Sequence, residues 1–200
     1  MGRCKLLVAI GTVVIVAGIA WPKSALRAQE PMRSLNPLFT EKDAVFEPAI
    51  EGTWKGWVTL TFTKLGDNAY QVVLSGDEEG TSLTFAAHLT RLGGSLFLDA
   101  CLQEMKVKGE RLGDLEGTAF WLIPTHTFYR IHIEGDTLRL ECLDEGRVKE
   151  MIDRGKLKIA HARYGDVFTL TAPTQKHQQL ARKYANSEAF REIEELQRQK

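Results

Sequence analysis

Histidines and charged residues that could bind a metal lie on one short segment, HTFYRIHIE, residues 126–134. Alternate side chains of an extended strand share a face, so His126 and His132 lie on the same side. That face also holds Arg130 and Glu134. A metal bonds an imidazole nitrogen at about 2 Å, whereas six residues of strand span roughly 20 Å. One ion cannot bind both histidines of an unbroken strand, so we expect a polar stripe, with no metal and no cofactor.

A disulfide is the second chemistry that the residue types allow. Cys101 and Cys142 would remain after removal of an N-terminal segment containing Cys4, and export would bring them into an oxidising compartment. Alternation places Cys142 on the face of Leu140, but Cys101 on the face opposite Leu98. Side chains on opposite faces of a sheet cannot reach the required Cβ separation of about 4 Å. The pattern disfavours a bridge, and the pairing is left open.

Nucleophilic catalysis has little support in the order of the residues. The chain contains no Gly-x-Ser-x-Gly segment, which presents the serine of many hydrolases between a strand and a helix. Ser75, Ser82 and Ser95 fall at turn edges, where serine is common for structural reasons. We assign no catalytic residue and favour a protein that is not an enzyme. An enzyme would require residues such as His126 and Asp99 to converge with other polar groups in a cleft.

Aromatic residues are the remaining candidates for a site, because they alternate along several segments. The residues expected to line an enclosed interior and to contact a ligand are Trp54, Phe62, Tyr70, Phe85 and Phe128. An eight-stranded barrel is just wide enough to be filled by side chains or to hold one small ligand. Trp57 lies on a face of Thr and Lys, so we expect it to pack under a helix, the lead-in segment or a partner.

These aromatic residues depend on a sheet to bring them together. From Gly52 onward the chain repeats a run of alternating apolar and polar residues followed by a turn rich in Gly or Asp, which is typical of an antiparallel meander. The fold class that we predict is mainly β: an antiparallel β-barrel or strongly curled meander of about eight or nine strands. Closure removes exposed strand edges, which favours a barrel over the alternative, a two-sheet sandwich.

Helices are predicted late in the chain. Residues 144–155 have apolar side chains at helical spacing, which indicates a short late helix. The tail has helical propensity, and we expect C-terminal helices, with Phe190, Ile193 and Leu196 anchoring the second one.

The chain divides into four parts on this pattern. Residues 1–28 are a signal peptide or N-terminal anchor, and residues 29–49 are a lead-in segment. Residues 50–172 form the β-barrel-like domain, and residues 173–200 form the C-terminal helices that pack on the barrel.

The N-terminal segment determines the expected location. It carries basic residues ahead of an apolar run and ends in small residues, as secretory signals do. We expect an exported protein of the periplasm or cell envelope, anchored in the membrane only if this segment is not cleaved. Cleavage would leave 22 basic against 26 acidic side chains, because the segment holds four Lys and Arg and no acid. A mildly acidic chain without basic runs excludes a nucleic-acid partner.

The opening of the first long strand carries a resemblance. Gly52 and Trp54 in EGTWKGW resemble the Gly-x-Trp signature of lipocalin-like barrels, in which the Trp closes one end of the barrel. Together with LGGSLFLD and PTHTFYRIHIEGDTLRL, this opening is similar to a group of uncharacterised exported bacterial proteins. The resemblance implies a barrel that holds a small apolar or amphipathic ligand. The alternative is an envelope module that docks on another protein.

Overall fold

The structure, a computed structural model, describes residues 31–76, 80–107, 110–111, 123–165, 167–187 and 189–200. The predicted signal or anchor, residues 1–28, lies outside the described residues. The segment TAFWLI, residues 118–123, is also predicted as a strand by its composition, and all of it but residue 123 lies outside the described residues.

The described residues form a mainly β fold with two short helices. The strands are β1 Arg33–Ser34, β2 Ala44–Val45, β3 Gly52–Lys55, β4 Thr59–Lys64, β5 Ala69–Ser75, β6 Ser82–Leu92, β7 Ser95–Val107, β8 Glu110–Arg111, β9 His126–Glu134, β10 Thr137–Leu143, β11 His161–Tyr164, β12 Val167–Leu170 and β13 Phe190–Arg198. The helices are α1 Glu145–Asp153 and α2 Thr174–Tyr184, and a 3-10 turn spans Pro48–Ile50.

Eight of these strands close into an antiparallel barrel. Their order around the barrel is β3, β4, β5, β6, β7, β9, β10 and β13, and β13 pairs with β3 to complete the ring. Every strand of the ring therefore has a hydrogen-bonded neighbour on both sides, which removes the exposed edges of an open sheet. The predicted fold class is confirmed.

Alternation along β3 and β4 separates the two faces of the wall as the sequence predicted. Trp54, Leu60 and Phe62 are 0%, 6% and 2% exposed and belong to one interior core. Trp54 lies opposite Leu60, and Phe62 lies opposite Val72 of β5. Cross-strand neighbours share a face, so these side chains fill the barrel from adjacent strands.

The prediction of a second C-terminal helix is wrong, because Phe190–Arg198 forms strand β13. A register shift between Leu140 and Glu141 of β10 changes which side chains of β13 face inward. Phe190 then packs in the core outside the barrel, while Leu196 packs inside it. Apolar residues three apart therefore reflect a bulged strand here, and pairing with β10 and β3 overrides helical propensity.

A second core lies between the outer wall of the barrel and the elements that cover it. Its buried residues are Met32, Leu38, Leu92, Phe97, Phe128, Leu143, Val148, Phe168, Leu170, Leu180, Ala181, Ala185, Ala189 and Phe190. The late helix is confirmed as α1, whose first turn is capped by the Asp144 carboxylate accepting from the Arg147 backbone N–H at 2.6 Å. The hairpin of β11 and β12 joins the sheet through β1 and lies outside the ring of eight strands.

Candidate functional site: the open end of the barrel

Consecutive strands of the ring run in opposite directions, so their connections alternate between its two ends. The β4–β5, β6–β7 and β9–β10 connections lie at the end that the lead-in segment enters, which we call the closed end. At the other end lies the β3–β4 connection, and there β5, β7 and β10 end and β6, β9 and β13 begin. We call it the open end, a name that refers to the described residues alone, since residues 77–79, 108–109 and 112–122 of its connections lie outside them.

Trp54 and Arg198 cover the closed end. The Trp54 indole N–H donates to the Ile50 carbonyl at 2.8 Å, and the Arg198 guanidinium lies 4.1 Å from the centre of the indole ring. Arg198 also donates to the carbonyls of Ala49 and Glu51 at 2.6 and 2.7 Å. One cation therefore joins the end of β13 to the 3-10 turn and stacks on the Trp54 ring.

Gly52 makes this close approach feasible. Its φ is +112°, a backbone conformation that side chains with a Cβ rarely adopt. A Cβ at this position would also lie 3.1 Å from an Arg198 guanidinium nitrogen. The Gly-x-Trp spacing of the sequence thus has a local physical reason at the closed end.

Three of the five predicted ligand-contacting residues are packed in the interior core. Trp54 and Tyr70 are 0% exposed and Phe62 is 2% exposed. The Tyr70 hydroxyl accepts from the Glu47 backbone N–H at 2.7 Å, which ties the lead-in segment to the barrel. A ligand could reach these three rings only by displacing packed side chains.

Phe128, the fourth of these residues, is on the wrong side of the wall for the predicted interior site. It lies opposite Asp99 in the β7–β9 pairing and packs in the outer core, whereas its neighbour Tyr129 lies opposite Leu98 and packs inward. The aromatic pair Phe128-Tyr129 allows either register by alternation alone. Pairing with β7 decides that Tyr129 is the inward residue.

Phe85, the fifth residue, lies toward the open end among apolar side chains that remain partly exposed. Val58, Leu74 and Phe85 are partly buried against the interior core. Leu102 is the cross-strand neighbour of Phe85 and is 39% exposed. We call Val58, Leu74, Phe85 and Leu102 the open-end set. They offer an apolar surface continuous with the barrel interior.

Glu194 adds a polar group beside the open-end set. It lies opposite Leu140, an interior core residue, so it shares the inward face of β13. Its carboxylate accepts from the Trp57 backbone N–H at 2.7 Å. Burial raises the pKa of Glu194, and this hydrogen bond opposes the shift. The open end therefore combines apolar surface with one hydrogen-bonding carboxyl group.

Two of the three expectations for Trp57 are wrong. Its side chain is 68% exposed on the β3–β4 connection, so neither a helix nor the lead-in segment of the described residues covers it. Cover by a partner stays a prediction. The hydrogen bond to Glu194 fixes the Trp57 backbone, while the indole ring lies exposed at the open end.

The structure brings Asp99 and His126 together, although they are 27 residues apart in the chain. The His126 Nδ1 lies 2.6 Å from one Asp99 carboxylate oxygen, and the other oxygen accepts from the Leu38 backbone N–H at 2.5 Å. His88, opposite Asp99, stacks on the Phe39 ring at 3.8 Å between centroids. These contacts fasten the lead-in segment to the outer wall, which is a structural role for both oxygens of Asp99.

His177 and Ser34 are polar residues whose burial the sequence reasoning missed. They are 1% and 0% exposed, and the Ser34 hydroxyl lies 3.4 Å from the imidazole. Burial lowers the pKa of His177, and also that of His88. The two contacting residues are separated by 143 positions, so no local pattern signals the pair.

The remaining polar stripe of β9 makes ion pairs on the outer wall. Arg130 pairs with Glu141, and the His132 imidazole lies 3.7 Å from the same carboxylate. Among the described residues, no group of three or more His, Cys, Asp and Glu side chains is arranged to hold a metal ion.

Cys101 and Cys142 are both free thiols. Cys142 is fully buried, and burial raises its pKa to about 12. Cys101 is partly exposed, and burial raises its pKa as well. Alternation predicts that the two side chains point to opposite faces of the sheet, which explains why they form no disulfide.

Comparison with protein-family models, with curated proteins and with solved structures finds no match. Neither helix of the described part of the chain has the length and apolarity that crossing a membrane requires.

Proposed function

We propose that this protein binds a small apolar or amphipathic molecule at the open end of its barrel. The observation that carries the proposal is the difference between the two ends. Trp54 and Arg198 cover the closed end, whereas inward-facing apolar side chains at the open end keep exposed surface. Burial of that surface by a ligand is favourable at roughly 25 cal/mol per Å².

The packed interior limits how deep such a ligand would lie. Since Phe62 and Tyr70 are buried in the core, the ligand would rest on Phe85, Leu74 and Leu102 and not at the centre of the barrel. The Glu194 carboxyl group would accept a hydrogen bond from a ligand hydroxyl or amine. This site is smaller than the five-residue interior site that the sequence indicated.

Titration with the fluorescent apolar probe N-phenyl-1-naphthylamine tests the proposal. Leu102→Arg should weaken probe binding at least tenfold, because it places a charge on the apolar surface. Leu65→Arg is the matched control: Leu65 is 51% exposed, but it lies in the β4–β5 connection at the closed end. Equal probe binding by both variants and the unmodified protein would contradict the site, as would no saturable binding at all.

The proposal includes export to the periplasm or cell envelope. Its support is the order of basic, apolar and small residues in residues 1–28, together with the Gly52 and Trp54 opening that resembles the signature of lipocalin-like proteins. Cell fractionation followed by N-terminal sequencing tests it. A cytosolic protein that retains residue 1 would contradict export.

A second candidate is docking on an envelope protein through Trp57, which is favoured by the 68% exposure of that side chain. Trp57→Ala distinguishes the candidates. Docking predicts that the variant retains probe binding but no longer co-purifies with one envelope protein that the unmodified chain retains. Weakened probe binding with unchanged co-purification would favour a ligand-contacting role for Trp57.

A further inference from the structure

Glu194 places a carboxylate on the inward face of the barrel wall at the open end. On strand β13 it lies opposite Leu140, and Leu196, two positions further along, lies opposite Leu138 in the interior core. The next residue, Glu195, is exposed on the other face of the strand. Glu194 therefore interrupts a row of apolar side chains that point into the barrel.

The β3–β4 connection fixes the position of this carboxylate. Its Oε1 accepts from the Trp57 backbone N–H at 2.7 Å. A Cβ on Gly56 would collide with Oε1 and would lie 2.9 Å from the Glu195 carbonyl oxygen. Glycine at this position thus leaves the space that the Glu194 carboxylate occupies. The second oxygen, Oε2, has no hydrogen-bond partner within the described part of the chain.

The charge of Glu194 is not compensated by the described residues. None of their Lys, Arg or His side chains forms an ion pair with it, and Arg191, the nearest cation along the strand, pairs with Asp144 at 3.7 Å. Burial raises the pKa of Glu194, which indicates that water solvates this carboxylate only in part. A cation beside Oε2 would stabilise the ionised form.

The composition of the remaining connections does not reverse this charge. Residues 77–79, 108–109 and 112–122 of the open end lie outside the described residues, and their sequence contains five acids and one Lys. These connections therefore add net negative charge to the chain at this end of the barrel. Negative charge favours the approach of a cation and opposes that of an anion.

Apolar surface begins next to the residue that holds this carboxylate. Val58 follows Trp57 in the chain and is partly buried against the interior core. Leu74 and Phe85 continue the open-end set on β5 and β6. A ligand with a cationic head and an apolar body would contact both parts of the site, whereas a carboxylate or phosphate head would meet like charge at Glu194.

We infer that the open end binds a small soluble amphipathic amine. Its ammonium group donates a charge-assisted hydrogen bond to Oε2 of Glu194, and its apolar body covers Val58, Leu74 and Phe85. The inference rests on the proposed function, because it names the chemical class of the ligand for the same site. It goes further, since the proposed function requires no charge on the ligand.

Displacement of N-phenyl-1-naphthylamine from the full chain by decylamine, decanol and decanoate tests the charge preference at constant chain length. At neutral pH decylamine should bind at least about tenfold more tightly than decanol, the lower end of the scale for a hydrogen bond to a charged group, and decanoate should bind most weakly. Decylamine binding no more tightly than decanol would overturn the inference and leave the proposed function intact. Absence of saturable probe binding would overturn both.

Glu194→Gln assigns the preference to one residue. The amide oxygen can still accept from the Trp57 N–H, so the variant removes the charge and keeps the contact. We expect unchanged affinity for the probe and no remaining preference for decylamine over decanol. Glu195→Gln is the matched control, since it removes the exposed carboxylate of the next residue. A preference retained by Glu194→Gln, or lost equally in both variants, would overturn the inference.

Flotation with phosphatidylethanolamine vesicles distinguishes a soluble amine from a lipid head group as the source of the ammonium. We expect decylamine to bind to the chain, and Glu194→Gln to leave any association with the vesicles unchanged. Vesicle association that Glu194→Gln abolishes, together with no binding of decylamine, would overturn the inference. The carboxylate would then contact a lipid head group at a membrane surface.

Discussion

Replacement of Arg198 by alanine tests the covering of the closed end. The guanidinium makes two hydrogen bonds to backbone carbonyls and one stacking contact with Trp54. A charged hydrogen bond contributes roughly 1.5–3 kcal/mol and a cation–π contact about 0.5–2 kcal/mol. Because the side chain is 27% exposed and water replaces part of these contacts, we expect Arg198→Ala to lower the free energy of unfolding by about 3 kcal/mol.

Urea unfolding measures this loss. Tryptophan fluorescence follows the transition as the sum over the tryptophans of the chain, among them the buried Trp54 of the closed end. Far-UV circular dichroism provides a second measure of unfolding. Arg198→Lys should lower the free energy of unfolding by about half as much, since an ammonium group keeps the charge over the Trp54 ring but does not reach both carbonyls.

Arg191→Ala is the control on the same strand. Its side chain is 42% exposed and pairs with Asp144 at 3.7 Å. Because exposed ion pairs contribute little, Arg191→Ala should lower the free energy of unfolding by less than about 0.5 kcal/mol. If Arg198→Ala lowered the free energy of unfolding no more than Arg191→Ala, the reasoning that Arg198 stabilises the closed end would be refuted.

Three further predictions follow from the packing. Deleting residues 190–200 removes barrel strand β13, so the cooperative unfolding transition should disappear; a retained transition would show that seven strands suffice. Burial lowers the pKa of His177 in the folded protein, so below about pH 6.5 the imidazole binds a proton more readily in the unfolded chain. The free energy of unfolding should therefore fall as the pH is lowered from 7.5 to 5, with this group contributing up to about 1.4 kcal/mol per pH unit. His177→Gln should flatten that slope in urea unfolding, and an unchanged slope relative to the control variant His132→Gln would contradict this explanation. Iodoacetamide at pH 8 should label Cys101 before Cys142 in the folded protein, as read by peptide mass mapping; equal labelling rates would contradict the burial of Cys142.

Most of the barrel was predictable because alternation acts within each segment. From Trp54 to Phe62, apolar and polar residues alternate. Such a segment buries its apolar side chains only as a strand that has one face covered. The late helix was predictable for the same kind of reason, from helical spacing before Gly155. The open end was harder to predict, since the partial exposure of Phe85 and the inward facing of Glu194 depend on strands far apart in the chain.

Two failures have a common cause. Phe128 and Tyr129 are adjacent aromatic residues, so only pairing with β7 decides which one faces inward. Phe190 and Leu196 fit helical spacing, and only the gap between β10 and β3 makes their segment a strand. In both cases the local pattern fits two arrangements, and long-range backbone hydrogen bonds select one.

The sequence by itself determined most of the barrel strands, the apolar faces of β3, β4 and β5, and the Gly52-x-Trp54 opening, because these depend on side-chain periodicity and on one backbone conformation that favours glycine. Tertiary structure alone decided that Arg198 stacks on Trp54, that Ser34 meets His177, and that Asp99 meets His126. The physical reason is distance along the chain. A closed ring and a packed helix bring together residues that no local pattern relates.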